Sequence, residues 1–287
     1  WKVQHRHDGQ HRVAKVARDA DAAQGLFTEA DVLQAVAHPN LARYHSREPH
    51  DQTTVVFTAY VHGVDGADWA LLADPPTPQQ AQGLGEDLFG ALGALHAAGW
   101  LHRDVKPANV LITEPAGPLT LIDLGLAARA GDRTGLTLGT AAFKDPALYA
   151  AGAWAPRDDL FAAWLTLWFL LTNTHAFGGP AVREATPDLD PAHLPDTLPA
   201  AARERLVAAV AQALDPDPTQ RPADAQAAAA AWAAALAPPQ PVQAPQPTQQ
   251  GTLDLPPAKA IATVELPDDL AADTPIDRLA LSVRAHN

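Results

Sequence analysis

The chain of 287 residues contains no cysteine and no methionine. Without Cys there is no disulfide, no thiolate metal site and no thiol nucleophile, a composition that fits a reducing cytoplasm. Without Met at its start, where Trp1 stands, the sequence is expected to be a piece of a longer protein or a processed form. Positive charge is also scarce: Lys and Arg number 20 against 33 Asp and Glu, a formal net charge of −13. Such a surplus repels phosphate at long range, which excludes a whole-surface binder of nucleic acid or anionic membrane and leaves only local basic patches. No basic-then-apolar leader opens the chain. The longest largely apolar run, Leu160 to Leu171, covers 12 residues. A membrane span needs about 20, so this run reads as a buried core helix and no membrane is expected as a partner.

Proline, in contrast, is plentiful, with 27 residues or about twice the usual share. It clusters in Pro238 to Pro257, PPQPVQAPQPTQQGTLDLPP, a segment too polar to bury a core and expected to be an extended linker. Residues 1–237 then form one unit, and 258–287 are too short to fold independently. In the first unit, alternating residues flank Asp8-Gly9, a dipeptide suited to a tight hairpin turn. Phe27, Ala30, Leu33, Val36 and Ala37 recur at helical spacing before His38-Pro39-Asn40. TTVVFTAYV, residues 53–61, predicts a buried strand. Thereafter the pattern is mostly helical. Gln79–Ala98 places Leu84, Leu88, Leu92 and Leu95 on one face, short strands are predicted at Val110–Thr113 and Leu119–Ile122, and a core helix at 159–172. A Pro-rich loop at 178–200 precedes Ala-rich helices at 199–214 and 222–236. The outcome is an α+β protein of two lobes, a small strand-rich one (1–61) and a larger helical one (62–237). Trp154, Trp164 and Trp168 fall at core spacing, and His5, His7 and His11 lack the carboxylates that would complete a metal site.

The chemistry concentrates in His102-Arg103-Asp104-Val105-Lys106-Pro107-Ala108-Asn109, followed nineteen residues after Asp104 by Asp123-Leu124-Gly125. Two carboxylates, a Lys and an Asn in short loops between apolar strands are what phosphoryl transfer needs: one carboxylate orients the nucleophile's proton, the other holds Mg²⁺ with the Asn amide, and the Lys offsets charge on the transferring group.

These two motifs resemble the catalytic loop H-R-D-x-K-P-x-N and the metal loop D-F-G of the protein-kinase family, with Leu124 in place of Phe. The resemblance implies an ATP- and Mg²⁺-dependent enzyme in a two-lobed fold. It makes Asp104, Lys106, Asn109 and Thr140 catalytic and gives the metal to Asn109 and Asp123. It also implies that Lys15 of Val13-Ala14-Lys15 contacts the nucleotide phosphates, paired with Glu29, and that Thr58, Ala59, Tyr60 and Val61 form the gatekeeper and hinge against adenine. Lys106, two residues after Asp104, and Thr140 match the Ser/Thr version of the loop. Asp159 resembles the residue that braces the catalytic loop, and Arg221 the late Arg whose usual Glu partner is replaced here by Ala147, which leaves that pair broken and Arg221 to find another partner or solvent. Arg103 beside Asp104 implies control by phosphorylation of the activation loop, with Thr134 and Thr137 as candidates. The family's Gly-rich phosphate loop is expected just upstream of Trp1.

Residues 274–287, TPIDRLALSVRAHN, are similar to the opening of the C-terminal domain of the bacterial RNA polymerase α subunit. That resemblance implies a further helical domain beginning in 258–287 and coupling to DNA or a DNA-bound complex. The function implied for residues 1–237 is transfer of the ATP γ-phosphate to Ser or Thr of protein substrates in a bacterial cytoplasm. The alternative is a kinase-like scaffold or nucleotide-binding module, in which the absent Gly-rich loop and Ala147 are real losses. A small-molecule kinase of related fold ranks last, because its loop usually lacks the Lys-Pro pair.

Overall fold

The computed structural model describes residues 1–5, 8–17, 19–50, 53–115, 117–178 and 186–238. The linker from residue 239, the polymerase-like tail, His7 and part of the Pro-rich loop lie outside the described residues.

The first hairpin forms around Asp8-Gly9. Strands β1 (Lys2–Gln4) and β2 (His11–Val16) pair antiparallel, Lys2 opposite Val13, and Gly9 takes the φ of 67° that the reversal needs. Helix α1 (Ala20–Ala35) starts at Asp19, whose carboxylate accepts the Ala22 N–H at 2.8 Å, and stops where Val36 turns extended ahead of His38-Pro39. Its Leu26 and Ala30 pack on Val56 of β4 (Thr53–Ala59). Strand β3 (Tyr44–His50), which the hydrophobic pattern does not predict, completes an antiparallel sheet of order β1-β2-β4-β3. It is an edge strand, so only one side needs a partner, and Arg47, Glu48 and Pro49 are tolerated there.

The segment 40–42 fastens this sheet layer to the helical lobe. Asn40 donates its Nδ2 to the Leu119 carbonyl at 2.7 Å, and Leu121 N and Ala42 N bond across to Asn40 O and Leu121 O. In that lobe, β5 (Val64–Asp65) runs into α2 (Gly66–Leu72), and Thr77 with Gln80 closes a capping box on α3 (Pro78–Ala97). After β6 (Trp100–Leu101) come β7 (Val110–Ile112) and β8 (Leu119–Leu121), paired antiparallel, then β9 (Ala128–Arg129) against β6. Helices α4 (Ala147–Ala151), α5 (Pro156–Thr172), α6 (Ala200–Ala213) and α7 (Ala225–Leu236) follow.

The core lies where α3, α5 and α7 meet. Leu84, Leu88, Leu92 and Leu95 of α3 are all buried. Phe89 meets Trp164 of α5 with centroids 5.3 Å apart, and Trp164 meets Trp232 of α7 at 5.5 Å. Each such side chain is worth about 1.5–3 kcal/mol of burial, which fixes α5 as the base on which the site stands. Helix α5 begins three residues earlier than the apolar pattern suggests, because Pro156 suits its first turn and Asp158 Oδ2 accepts the Ala155 N–H at 2.6 Å. Among the described residues no helix is long and apolar enough to cross a membrane, and no cluster of three or more His, Asp or Glu side chains could hold a metal.

Candidate active site

Strand β2 and helix α1 each bring one charge to the mouth of a cleft between the lobes. Lys15 Nζ reaches both oxygens of Glu29, at 2.6 and 2.7 Å. The Glu29 side chain is 3% exposed and that of Lys15 31%, so the acid is buried behind the cation and the ammonium faces the cleft. The cleft, about 480 Å³, is lined by Lys15, Val16, Glu29, Asp104, Asp123 and Gly125, among others.

The loop from His102 to Asn109 hangs from α5. Both Asp159 oxygens are used: Oδ1 accepts the Arg103 N–H at 2.8 Å, and Oδ2 accepts the His102 N–H at 2.8 Å and lies 2.9 Å from His96 Nε2. Burial alone would push this carboxyl up, but the His96 bond, the neighbouring imidazoles and the Arg103 amide together hold it below the usual carboxylate range. The His102 ring donates from Nε2 to the Ile122 carbonyl at 3.0 Å and accepts the Asp104 N–H on Nδ1 at 3.3 Å, which assigns its tautomer and ties this loop to the one carrying Asp123.

Asp104 gathers donors on both oxygens. Oδ1 accepts from the Thr140 amide and hydroxyl, each at 2.9 Å; Oδ2 accepts from Asn109 Nδ2 at 2.9 Å and faces Lys106 Nζ at 2.7 Å. Lys106 also donates to Thr140 Oγ1 at 2.8 Å. Lys106, Asn109 and Thr140 thus share one carboxylate. With its Nδ2 committed to Asp104, Asn109 keeps Oδ1 as the atom available to a cation. A carboxylate from Asp123 and an amide oxygen from Asn109 are hard donors of the kind Mg²⁺ takes, so the residues present fit that ion.

Asp123 adopts a φ of 65°, outside the regions common for a side-chain-bearing residue, and the loop it leads is pressed against α1. A Cβ on Gly25 of α1 would fall 2.8 Å from the Gly125 carbonyl oxygen. Only a glycine permits that approach, so α1, carrying Glu29, and the loop carrying Asp123 are set against each other. The hinge residues are not among those lining this cleft. Thr58 is buried; the amides of Ala59 and Tyr60 donate to the carbonyls of Arg43 and His11, while that of Val61 has no backbone partner among the described residues.

Arg221, whose usual pairing with an acid at position 147 is broken, meets another partner and not solvent. Its guanidinium grips both oxygens of Asp145, Nη2 to Oδ1 at 3.2 Å, in a buried pair. The carboxylate missing at Ala147 is supplied from two residues earlier, and Ala147 itself donates its N–H to Asp145 Oδ1 at 2.9 Å. The acid in Lys144-Asp145-Pro146 was the signal available in the sequence. His96, at the end of α3, also escapes sequence reasoning, since nothing in its spacing tells a bracing histidine from a solvated one.

Comparison with known proteins bears on the same stretch of chain. The family described as protein kinase domain matches residues 1–233. The serine/threonine-protein kinase PknJ of Mycobacterium tuberculosis is 31% identical over 220 residues, 72% of this chain and 37% of the relative. PkaA of Streptomyces coelicolor, also a serine/threonine-protein kinase, is 32% identical over 177 residues, 59% of this chain and 32% of its own length. PrkC of Bacillus subtilis is 25% identical over 191 residues, 65% and 29%. The chain therefore spans little more than a third of the length of the first of these relatives and less of the others. Because the family match runs from the first strand into the last helix and takes in both lobes of the cleft, the chain belongs to the protein kinase family.

Proposed function

We propose that this chain transfers the γ-phosphoryl group of ATP to Ser or Thr hydroxyls of proteins. The observation that carries the reading is the Asp104 carboxylate: it lines the cleft shared by Lys15, Glu29 and Asp123 and is the common acceptor of Lys106, Asn109 and Thr140. In this reading Asp104 orients the substrate hydroxyl and accepts its proton as the new oxygen–phosphorus bond forms and the bond to ADP breaks. Lys106, 2.7 Å from Asp104, offsets charge on the group in transit. Lys15, fixed by Glu29, positions the α/β-phosphates. Asp123 and Asn109 would hold Mg²⁺, which would supply charge neutralisation at the phosphates. Val61, whose amide has no backbone partner among the described residues, is the hinge group that supports an adenine contact.

The same proposal takes residues 1–237 as the catalytic domain, 238–257 as a linker and 258–287 as the start of a further domain that couples the enzyme to DNA or a DNA-bound complex. It places the protein in the bacterial cytoplasm. The names of the relatives support phosphorylation of protein hydroxyls, and the scaffold alternative has no observation in its favour. The test is labelling from γ-phosphate-labelled ATP with Mg²⁺ in the full-length protein. Asp104→Ala is expected to lower transfer by about 10²- to 10⁴-fold while nucleotide still raises the melting temperature. Undiminished labelling would refute the assignment.

A further inference from the structure

Arg103 precedes Asp104 and has a φ of 70°, so its backbone needs holding. One hold is Asp159; the other is at the far end of its side chain, which is 5% exposed. Nη1 meets Asp132 Oδ2 at 2.9 Å, Nη2 donates to the carbonyls of Thr134 at 2.8 Å and Gly135 at 3.1 Å, and the guanidinium lies 4.7 Å over the Trp154 ring. Burial lowers the affinity of this guanidinium for its proton, and the charges of Asp132 and Asp159 offset that, so the buried cation has a matching anion. Asp132 is itself fixed: the Trp154 N–H donates to its carbonyl at 2.9 Å, the Thr134 N–H donates to Oδ1 at 2.8 Å, and the Thr134 hydroxyl lies 2.9 Å from both carboxylate oxygens. The segment from 131 to 135 is thus bonded to the catalytic loop and to the residues leading into α5 by groups the chain already carries.

We propose that Asp132 is a positioning residue, a resident anion that holds Arg103 and the backbone entering Asp104, so that the segment is ordered without phosphorylation of Thr134 or Thr137. This rests on the kinase reading above. It reverses the expectation drawn from Arg103 alone, because the cation's partner is a carboxylate two residues before Thr134. A phosphoryl group on Thr134 would set a dianion within hydrogen-bonding reach of Asp132, in competition for one guanidinium, and so would oppose order.

The test compares untreated and phosphatase-treated wild type with Asp132→Asn, Asp132→Glu and Thr137→Ala. It reads kcat, KM for ATP, and hydrogen exchange over residues 129–140. Phosphatase treatment and Thr137→Ala are each expected to keep kcat within about twofold of the untreated wild type. Asp132→Asn, which loses the charge-assisted bond, is expected to lose about tenfold or more in kcat with little change in KM and to exchange faster over 129–140, with Glu restoring both. Wild-type kcat and exchange in Asp132→Asn, or loss of activity on phosphatase treatment, would overturn the proposal. If no form transfers phosphate, the kinase reading fails by itself, and exchange still decides: acceleration by Asn and recovery by Glu upholds the role of Asp132, and unchanged exchange removes it.

Discussion

Replacing Asp158 by Asn should stabilise the protein far more at pH 8 than at pH 5. Asp158 sits in the first turn of α5, 3% exposed, with Oδ2 on the Ala155 N–H and Oδ1 without a partner among the described residues. Burial pushes its carboxyl from the ordinary 3.8 up to about 7; the bond from Ala155 opposes this, the charges of Asp145 and Asp159 add to it, and Arg157 lowers it. Of these neighbours Asp145 is already neutralised by Arg221, so burial remains the principal cause. A folded-state value above the unfolded one means that the native protein holds the proton more tightly. Stability is then lost as the pH rises from about 4 to about 7, and the whole penalty is present above 7. The cost of the ionised group is about 4 kcal/mol at pH 8 and about 2 kcal/mol at pH 5. Asn keeps an acceptor for Ala155 and never ionises, but it buries an amide nitrogen with no partner, at about 1–3 kcal/mol. That cost is the same at both pH values and cancels in the comparison. Urea unfolding of variant and wild type should therefore show a stability difference that grows by about 2 to 3 kcal/mol between pH 5 and pH 8, or about 5–10 °C in Tm for a domain of this size. A difference that does not change with pH would refute the assignment of a raised carboxyl at this site.

Two further outcomes follow from the pairings around the cleft. Asp145→Ala strands Arg221 in the core and should cost about 3–5 kcal/mol; adding Ala147→Glu should recover part of it, and denaturant melts that show no recovery would mean that position 147 cannot reach the guanidinium. Gly25→Ala forces a methyl against the Gly125 carbonyl and should cost about 1–3 kcal/mol while lowering phosphotransfer more than Asp145→Ala does, read as initial rate against melting temperature; unchanged activity would show that α1 and the Asp123 loop are not coupled.

How far the structure could be read from the sequence depended on the kind of interaction. Elements driven by apolar periodicity, such as α3, the β7–β8 pair and α5 beyond its first turn, lie where the pattern places them, because burying a stripe is a local decision. Strand β3 does not announce itself: Tyr44-His45-Ser46-Arg47-Glu48-Pro49 has no buried alternation, and its pairing comes from an open edge of β4 that only the folded sheet offers. The charged pairs divide in the same way. The 2.6 Å bond of Lys15 to Glu29 was legible because two motif positions imply it. Asp145 and Asp132 stand in the sequence as nearby acids but could not be told as the partners, because each replaces an expected partner from a neighbouring position, and a shift of two residues matters only once the chain has turned to face the cation. The hinge lies between these cases, since a backbone contact leaves no trace in side-chain identity.

Arg103 and Asp123 both occupy left-handed backbone conformations, at φ of 70° and 65°. Each costs about 1–3 kcal/mol relative to a relaxed residue, and neither is a glycine that would bear it lightly. The loops keep this shape because Asp159, Asp132 and the His102–Ile122 bond restrain them, not because their own sequence favours it. The working geometry is therefore held in tension against the scaffold. When those restraints open, the loops release strain that α3, α5 and α7 do not carry, so the free energy of opening at the site is smaller than that of the lobe beneath it. Warming would disarm the site while the helices that carry it remain folded, and cooling would restore it without the chain having to refold.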